Sequence, residues 1–162
     1  MSIAVGDRLP DATMLRIGAD GPEPVNLGQK LKGRRVVLFG LPGAYTNTCT
    51  AAHVPSFIRT KAGFDAKGVD EIICVAVNDP FVMKAWGEST GATAAGLTLL
   101  ADSDGSFTRA VGMDFSAPMV GFHGRSKRYA LFAEDGVVKV LHPETERGVC
   151  EISGGEAMLD AI

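Results

Sequence analysis

The sequence predicts an α/β layered fold, a central sheet flanked by helices, and three observations carry that prediction. Segments rich in β-branched and apolar residues alternate along the chain with segments of helical period. Two apolar runs near the C-terminus flank Glu134-Asp135-Gly136, where Asp-Gly supplies the positive φ that a tight hairpin needs. Helix-start signals, Asp79-Pro80 above all, follow directly on strand-like runs. At 162 residues the chain has the length of one domain, 1–162, with a core large enough to need neither disulfides nor a metal.

Strands are expected near residues 12–17, 35–40, 71–77, 97–101, 128–133 and 137–141, with the last two forming the hairpin. The Gly- and Pro-rich stretch 18–24 reads as a surface loop or hairpin connection. A first helix is expected from about residue 48 to 64, kinked at Pro55 because proline removes a donor and crowds the preceding turn. The second begins at Asp79-Pro80 and places Phe81, Ala85 and Trp86 on one face, expected to be core. A shorter helix follows Gly105 and ends near Gly112. The last begins at Ser153, where Glu156 completes a capping box ahead of Ala157, Leu159 and Ile162.

Charge and motif content exclude several function classes. A net charge of -3, with Arg125-Ser126-Lys127-Arg128 as the best basic run, gives no electrostatic footprint for nucleic acid or a membrane surface. No window reaches the length of a membrane span. The N-terminal residues 1–10 meet acidic Asp7 before any long apolar stretch, which predicts neither a signal nor a transit peptide. The odd count of three cysteines suits a reducing compartment, and a cytoplasmic protein is expected. Cys49, Cys74 and Cys150 form no Cys-x-x-Cys pair, and His53, His123 and His142 lack ligand spacing, so no metal is expected. No glycine pattern matches a phosphate or dinucleotide loop, so no cofactor is expected either.

What remains is a thiol in a chemically active position. Cys49 follows an apolar strand and a Pro-Gly turn, where a helix is expected to begin. Unpaired N–H groups and the positive end of the helix dipole can lower the pKa of a cysteine there below its usual value of about 8.5. The hydroxyls of Thr46 and Thr48 flank it in sequence. His53, four residues on, shares its helical face, so a Cys-His dyad for acyl transfer stands beside a packing histidine.

Pro42, Thr46 and Cys49 form Pro-x-x-x-Thr-x-x-Cys, which resembles the active-site signature of the peroxiredoxins. The blocks 42–49, 53–57, 77–86 and 125–131 resemble the type II, peroxiredoxin 5-like subgroup, with Tyr45 where that group usually has Phe and Asn47 where it has Pro. The resemblance implies a thioredoxin-like fold with a mixed central sheet. It implies a thiol peroxidase that reduces hydrogen peroxide and organic hydroperoxides through a Cys49 sulfenic acid. Attack on an O–O bond sends negative charge to the leaving oxygen, so donors aimed at both oxygens are needed. Thr46, backbone N–H groups around Cys49 and, by resemblance, Arg128 supply them, with Arg125 as the alternative guanidinium. Pro42 is expected to shield the thiolate from water.

The sulfenic acid must then be reduced. Cys74 lies in a strand that reads as buried but coincides with the second cysteine of plant type II members, while Cys150 stands near the resolving cysteine of peroxiredoxin 5-like enzymes. Glutathione, glutaredoxin or thioredoxin is the expected reductant, and the resemblance implies a homodimer. A redox sensor or holdase using the same thiol is the alternative reading.

Overall fold

The runs 35–40 and 71–76 are buried along nearly their whole length, as strands covered on both faces must be. In the computed structural model, which describes residues 2–162, they form β3 (Arg35–Gly40) and β4 (Glu71–Ala76) at the heart of a seven-stranded sheet. Met1, the first residue of the N-terminal segment read above, lies outside the described residues. The other strands of the sheet are β1 (Thr13–Gly18), β2 (Gly21–Asn26), β5 (Thr98–Ala101), β8 (Tyr129–Glu134) and β9 (Val137–Pro143), in the order β2-β1-β5-β4-β3-β8-β9. Pairing is parallel within β3-β4-β5 and antiparallel at both flanks, so the sheet is mixed. A separate antiparallel ribbon, β6 (Asp114–Ala117) and β7 (Phe122–Ser126), joined by a 3₁₀ turn at Pro118–Val120, stands apart from it.

Alternate strand residues pack to opposite sides. Val37, Phe39, Cys74 and Ala130 meet Phe57 and Phe64 of α2 (Val54–Ala66), Trp86 of α3 (Pro80–Thr90) and Met158 of α5 (Gly155–Ala161). Val36, Leu38, Ile73 and Leu131 meet Leu27 and Leu31 of α1 (Leu27–Leu31) and Phe107 of α4 (Ser106–Ala110). The β8-β9 hairpin turns at Asp135-Gly136, both with positive φ, as the Asp-Gly signal predicts. Asp79 caps α3 by accepting from the Val82 N–H at 2.9 Å.

Beyond α1 and the β6-β7 ribbon, where the sequence reading expects no element, four details differ from it. The stretch 18–24 is a hairpin whose second arm is β2, an edge strand, where Pro22 and Pro24 are tolerated because its outer side needs no donors. The buried side of α3 is Met83, Trp86 and Gly87, whereas Phe81 is 63% exposed and Ala85 is also exposed. Trp86 sets that phase, since its indole N–H donates to the Thr50 hydroxyl at 3.1 Å. The capping box at Ser153 does not form: Glu156 pairs with Arg59 at 2.7 Å, Ser153 is buried, and α5 starts after Gly154. The fourth difference is the helix that begins at Cys49.

Candidate active site

Two strands meet where the chain leaves β3. Antiparallel pairing sets Gly40 opposite Tyr129, so Arg128 reaches the end of the sheet from which the 41–48 segment departs. The 42–44 turn is held from both sides. Arg125 donates from Nη1 to the Pro42 carbonyl at 3.0 Å, and the Ala44 N–H donates to Asn78 Oδ1 at 3.0 Å.

The turn carrying Cys49 is π-helical, Cys49–His53, rather than the first turn of a kinked α-helix. The Val54 N–H reaches back five residues to the Cys49 carbonyl. Pro55 lies in the first turn of α2 and has no N–H to return to the residue four before it, so the preceding turn widens instead of kinking. Ser56 then secures the widened turn, donating to the His53 carbonyl at 2.6 Å while accepting from the Gly155 N–H at 2.9 Å. Gly155 has to be glycine for this approach: a Cβ there would lie 2.5 Å from the Ser56 carbonyl oxygen.

Arg128 is 7% exposed and divides its guanidinium between two partners, Nη2 donating to Cys49 Sγ at 3.2 Å and Nη1 to His53 Nδ1 at 3.0 Å. A guanidinium can only donate, so His53 Nδ1 is the acceptor; the ring's Nε2 then carries the proton and donates to the Ser153 carbonyl at 2.9 Å. Burial, then the Arg128 charge, push the His53 pKa down to about 3, so the ring is neutral. Both ring nitrogens are engaged, and neither bonds to Cys49. The Cys-His dyad of acyl transfer is therefore not assembled, and His53 instead orients the guanidinium. Among the described ion pairs none includes Arg128, so this buried cation has no carboxylate partner. Hydrogen bonds from an ionised donor in that setting are stronger than those from a neutral one.

Pro42, Thr46, Asn47 and Arg128 line an open cavity of about 960 Å³, with Cys49 fully buried behind that lining. Phe115 and Phe122 of the β6-β7 ribbon, Val120 of its turn and residues Glu144 to Gly148 line the same cavity. The Thr46 hydroxyl donates to the Gly43 carbonyl at 2.7 Å, which turns its lone pairs outward as an acceptor rather than offering a donor to the thiol. The Thr48 hydroxyl donates to the Gly148 carbonyl at 3.0 Å, latching the 144–148 segment to the residue before Cys49. Tyr45, the other departure from the subgroup pattern, is 56% exposed with φ of 65°.

The two remaining cysteines are placed very differently. Cys74 is fully buried in β4 beside Phe39, and burial, with the neighbouring Cys49 adding to it, pushes its thiol well above the ordinary range. Cys150 is partly exposed in the segment between β9 and α5, its thiol raised chiefly by burial and accepting a weak contact from Ser153 Oγ at 3.9 Å. That segment is anchored by Glu144, which the sequence reading passed over, and by Ser153, which it read as a helix cap. Glu144 accepts from the N–H groups of Glu151 and Ile152, at 3.2 and 2.8 Å, and Ser153 receives His53. No periodic signal marks Glu144 for this role. Among the described residues no group of three His, Cys, Asp or Glu side chains is arranged to hold a metal, and no helix is long and apolar enough to cross a membrane.

The redoxin family profile matches residues 4–159. Peroxiredoxin-2E-2, chloroplastic, of Oryza sativa subsp. japonica is 50% identical over 165 residues, covering 99% of this chain and 73% of its own. Peroxiredoxin-2E, chloroplastic, of Arabidopsis thaliana is 42% identical, covering 99% and 70%. The crystal structure of reduced Prx3 from Vibrio vulnificus in complex with hydrogen peroxide superposes with a TM-score of 0.90 at 42% identity, covering 98% of each chain. Two relatives with chloroplastic names overturn the cytoplasmic expectation, since an odd cysteine count fits any reducing compartment, plastid included. With a thioredoxin-like fold, a mixed central sheet and near-full-length similarity to these proteins, the chain belongs to the redoxin family as a type II peroxiredoxin, a thiol-dependent peroxidase.

Proposed function

We propose that Cys49 is the thiol that peroxide oxidises, with Arg128, Thr46 and Pro42 completing its site. The observation that carries this is Arg128: a buried guanidinium without a carboxylate partner, aimed at Cys49 Sγ and held there by a neutral histidine. The thiolate attacks the hydroxyl-bearing oxygen of R–O–O–H; the S–O bond forms as the O–O bond breaks, the hydroxyl stays on sulfur as the sulfenic acid, and the leaving oxygen takes up, by way of solvent, the proton that Cys49 released on becoming a thiolate, giving R–OH. Arg128 stabilises the charge that passes from sulfur to oxygen. Thr46, its own proton committed to Gly43, accepts the hydrogen of the peroxide and orients it. Pro42 forms part of the cavity lining without adding a donor. A cavity of about 960 Å³ has room for hydrogen peroxide and for bulkier organic hydroperoxides alike. Cys49→Ser is expected to abolish peroxide consumption with the fold intact, measured by peroxide loss beside circular dichroism; unchanged turnover overturns the assignment.

In the second half-reaction a thiol condenses with the sulfenic acid, forming S–S and releasing water. Cys150 is the favoured internal candidate, because it is partly exposed and lies on the segment latched to Thr48. Cys74 would have to leave the centre of the sheet to react. Glutathione, with or without glutaredoxin, or thioredoxin then returns the enzyme to the thiol state. Intact mass after one equivalent of peroxide decides between routes: an internal disulfide, two mass units below the reduced chain, that is lost in Cys150→Ser identifies Cys150, and a persisting sulfenic acid identifies an external thiol.

A homodimer is the expected assembly. Tyr45 and Val120, 56% and 63% exposed, and fully exposed Met119 are solvent-facing apolar residues on segments around the cavity, and Phe81 follows the Asn78 segment that binds Ala44. Sedimentation of Phe81→Asp beside the native chain tests it, with dissociation expected.

A further inference from the structure

The β6-β7 ribbon belongs to no other sheet, yet its Phe115 and Phe122 line the same cavity as Pro42 and Thr46. Something has to fix the spacing between the ribbon and the turn over the thiol. Arg125 on β7 is placed to do so. Its Nη1 donates to the Pro42 carbonyl at 3.0 Å, its guanidinium lies 5.5 Å over the Phe122 ring, and Phe122 meets Phe115 edge-on at 6.1 Å. The residue after Pro42 leaves room for this arm: a Cβ at Gly43 would sit 2.3 Å from Arg125 Nη1. None of the described ion pairs engages Arg125.

We propose that Arg125 is a positioning residue of the peroxidase site, clamping the Pro42 turn to the β6-β7 ribbon so that a peroxide is held in line with the Cys49 sulfur. It acts through Pro42 and Phe122, not on the reacting atoms. The inference rests on Cys49 being the oxidised thiol. A misplacement of about 1 Å is enough to cost a positioned reaction on the order of a hundredfold. Alkylation by iodoacetamide needs the same thiolate but no pocket to align an O–O bond, so the two reactions separate alignment from general loss of structure.

The test measures second-order rates of Cys49 oxidation by hydrogen peroxide and of its alkylation by iodoacetamide, in the Cys74→Ser, Cys150→Ser background, by rapid quench and intact mass. Arg125→Met keeps the stem and removes the donors; the ratio of peroxide to iodoacetamide rate is expected to fall about tenfold to a hundredfold. Arg125→Lys restores a donor and is expected to bring the ratio back to within about threefold of the native value, a difference of well under 1 kcal/mol in barrier. Should Arg125→Met not melt cooperatively, Arg125→Gln, too short to span to Pro42, gives the same reading. An unchanged ratio in the folded variant, or equal loss in both reactions, overturns the inference. A native Cys49 that peroxide fails to oxidise overturns the peroxidase assignment instead, so the two failures are distinct.

Discussion

Cys49 and Cys74 lie in the same apolar core and are equally inaccessible, yet their chemical surroundings are opposite. Cys74 sits mid-strand, its backbone spent on the β3 and β5 ladders, with desolvation pushing the thiol toward its neutral form. Cys49 opens a π-helical turn past the end of a strand and receives a charged donor at 3.2 Å. Burial alone makes a cysteine inert. Burial next to an uncompensated cation is a different environment, because the guanidinium's electrostatic influence is least screened where water is absent. The difference lies in where each residue stands on its element.

The contrast breaks most completely if the cation is removed. Arg128→Met keeps much of the stem but removes the charge and both donors, to Sγ and to His53 Nδ1, and is expected to lower the rate of Cys49 oxidation about 10²-fold or more, the usual cost of a lost charge-stabilising donor; stopped-flow peroxide kinetics measure it. An effect below about threefold would put Arg128 on a par with the surroundings of Cys74.

A smaller effect tests the histidine behind the cation. The His53 pKa is about 3 in the folded chain against 6.5 for the free side chain, so the unfolded chain binds one more proton between those values. This contribution to stability is complete above pH 6.5 and is lost progressively as pH falls toward 3, at up to about 1.4 kcal/mol per pH unit. His53→Gln keeps an acceptor and a donor but does not titrate. Urea unfolding at pH 7.5 and 4.5 is expected to show a shallower pH slope for the variant; equal slopes refute the buried neutral ring.

The smallest effect is on Cys74 itself. Cys74→Ser places a hydroxyl in the core and is expected to cost about 1–3 kcal/mol of stability while peroxide turnover stays within about twofold. Loss of turnover with the fold intact would restore Cys74 as a participant in the cycle.

Much of this was legible in the chain. The β3 run, the Pro-Gly turn and the Asp-Gly hairpin specify how strands enter and leave the sheet, and with the order of motifs they bring Pro42, Thr46 and Arg128 to one cavity. What escaped the sequence was long-range hydrogen bonding. Pro55 reads locally as a kink, whereas the packing of Ser56 against Gly155, 99 residues on, stabilises a widened turn. Glu156 reads as half of a capping box, but Arg59 offers it a charged partner. Phe81 reads as core because the phase of α3 is set by the contact between Trp86 and Thr50, which no local period reveals. Thr46 reads as a donor to the peroxide until the Gly43 carbonyl is seen to take its proton.

That last helix contact also equips the protein with its own optical reporter. Trp86 is the chain's single tryptophan, and its indole N–H is bonded to Thr50, the residue next to Cys49. Any rearrangement of the cysteine's turn on oxidation or disulfide formation changes the polarity around one fluorophore. The emission of the unlabelled protein is therefore expected to change as Cys49 is oxidised, which a fluorescence titration with peroxide measures.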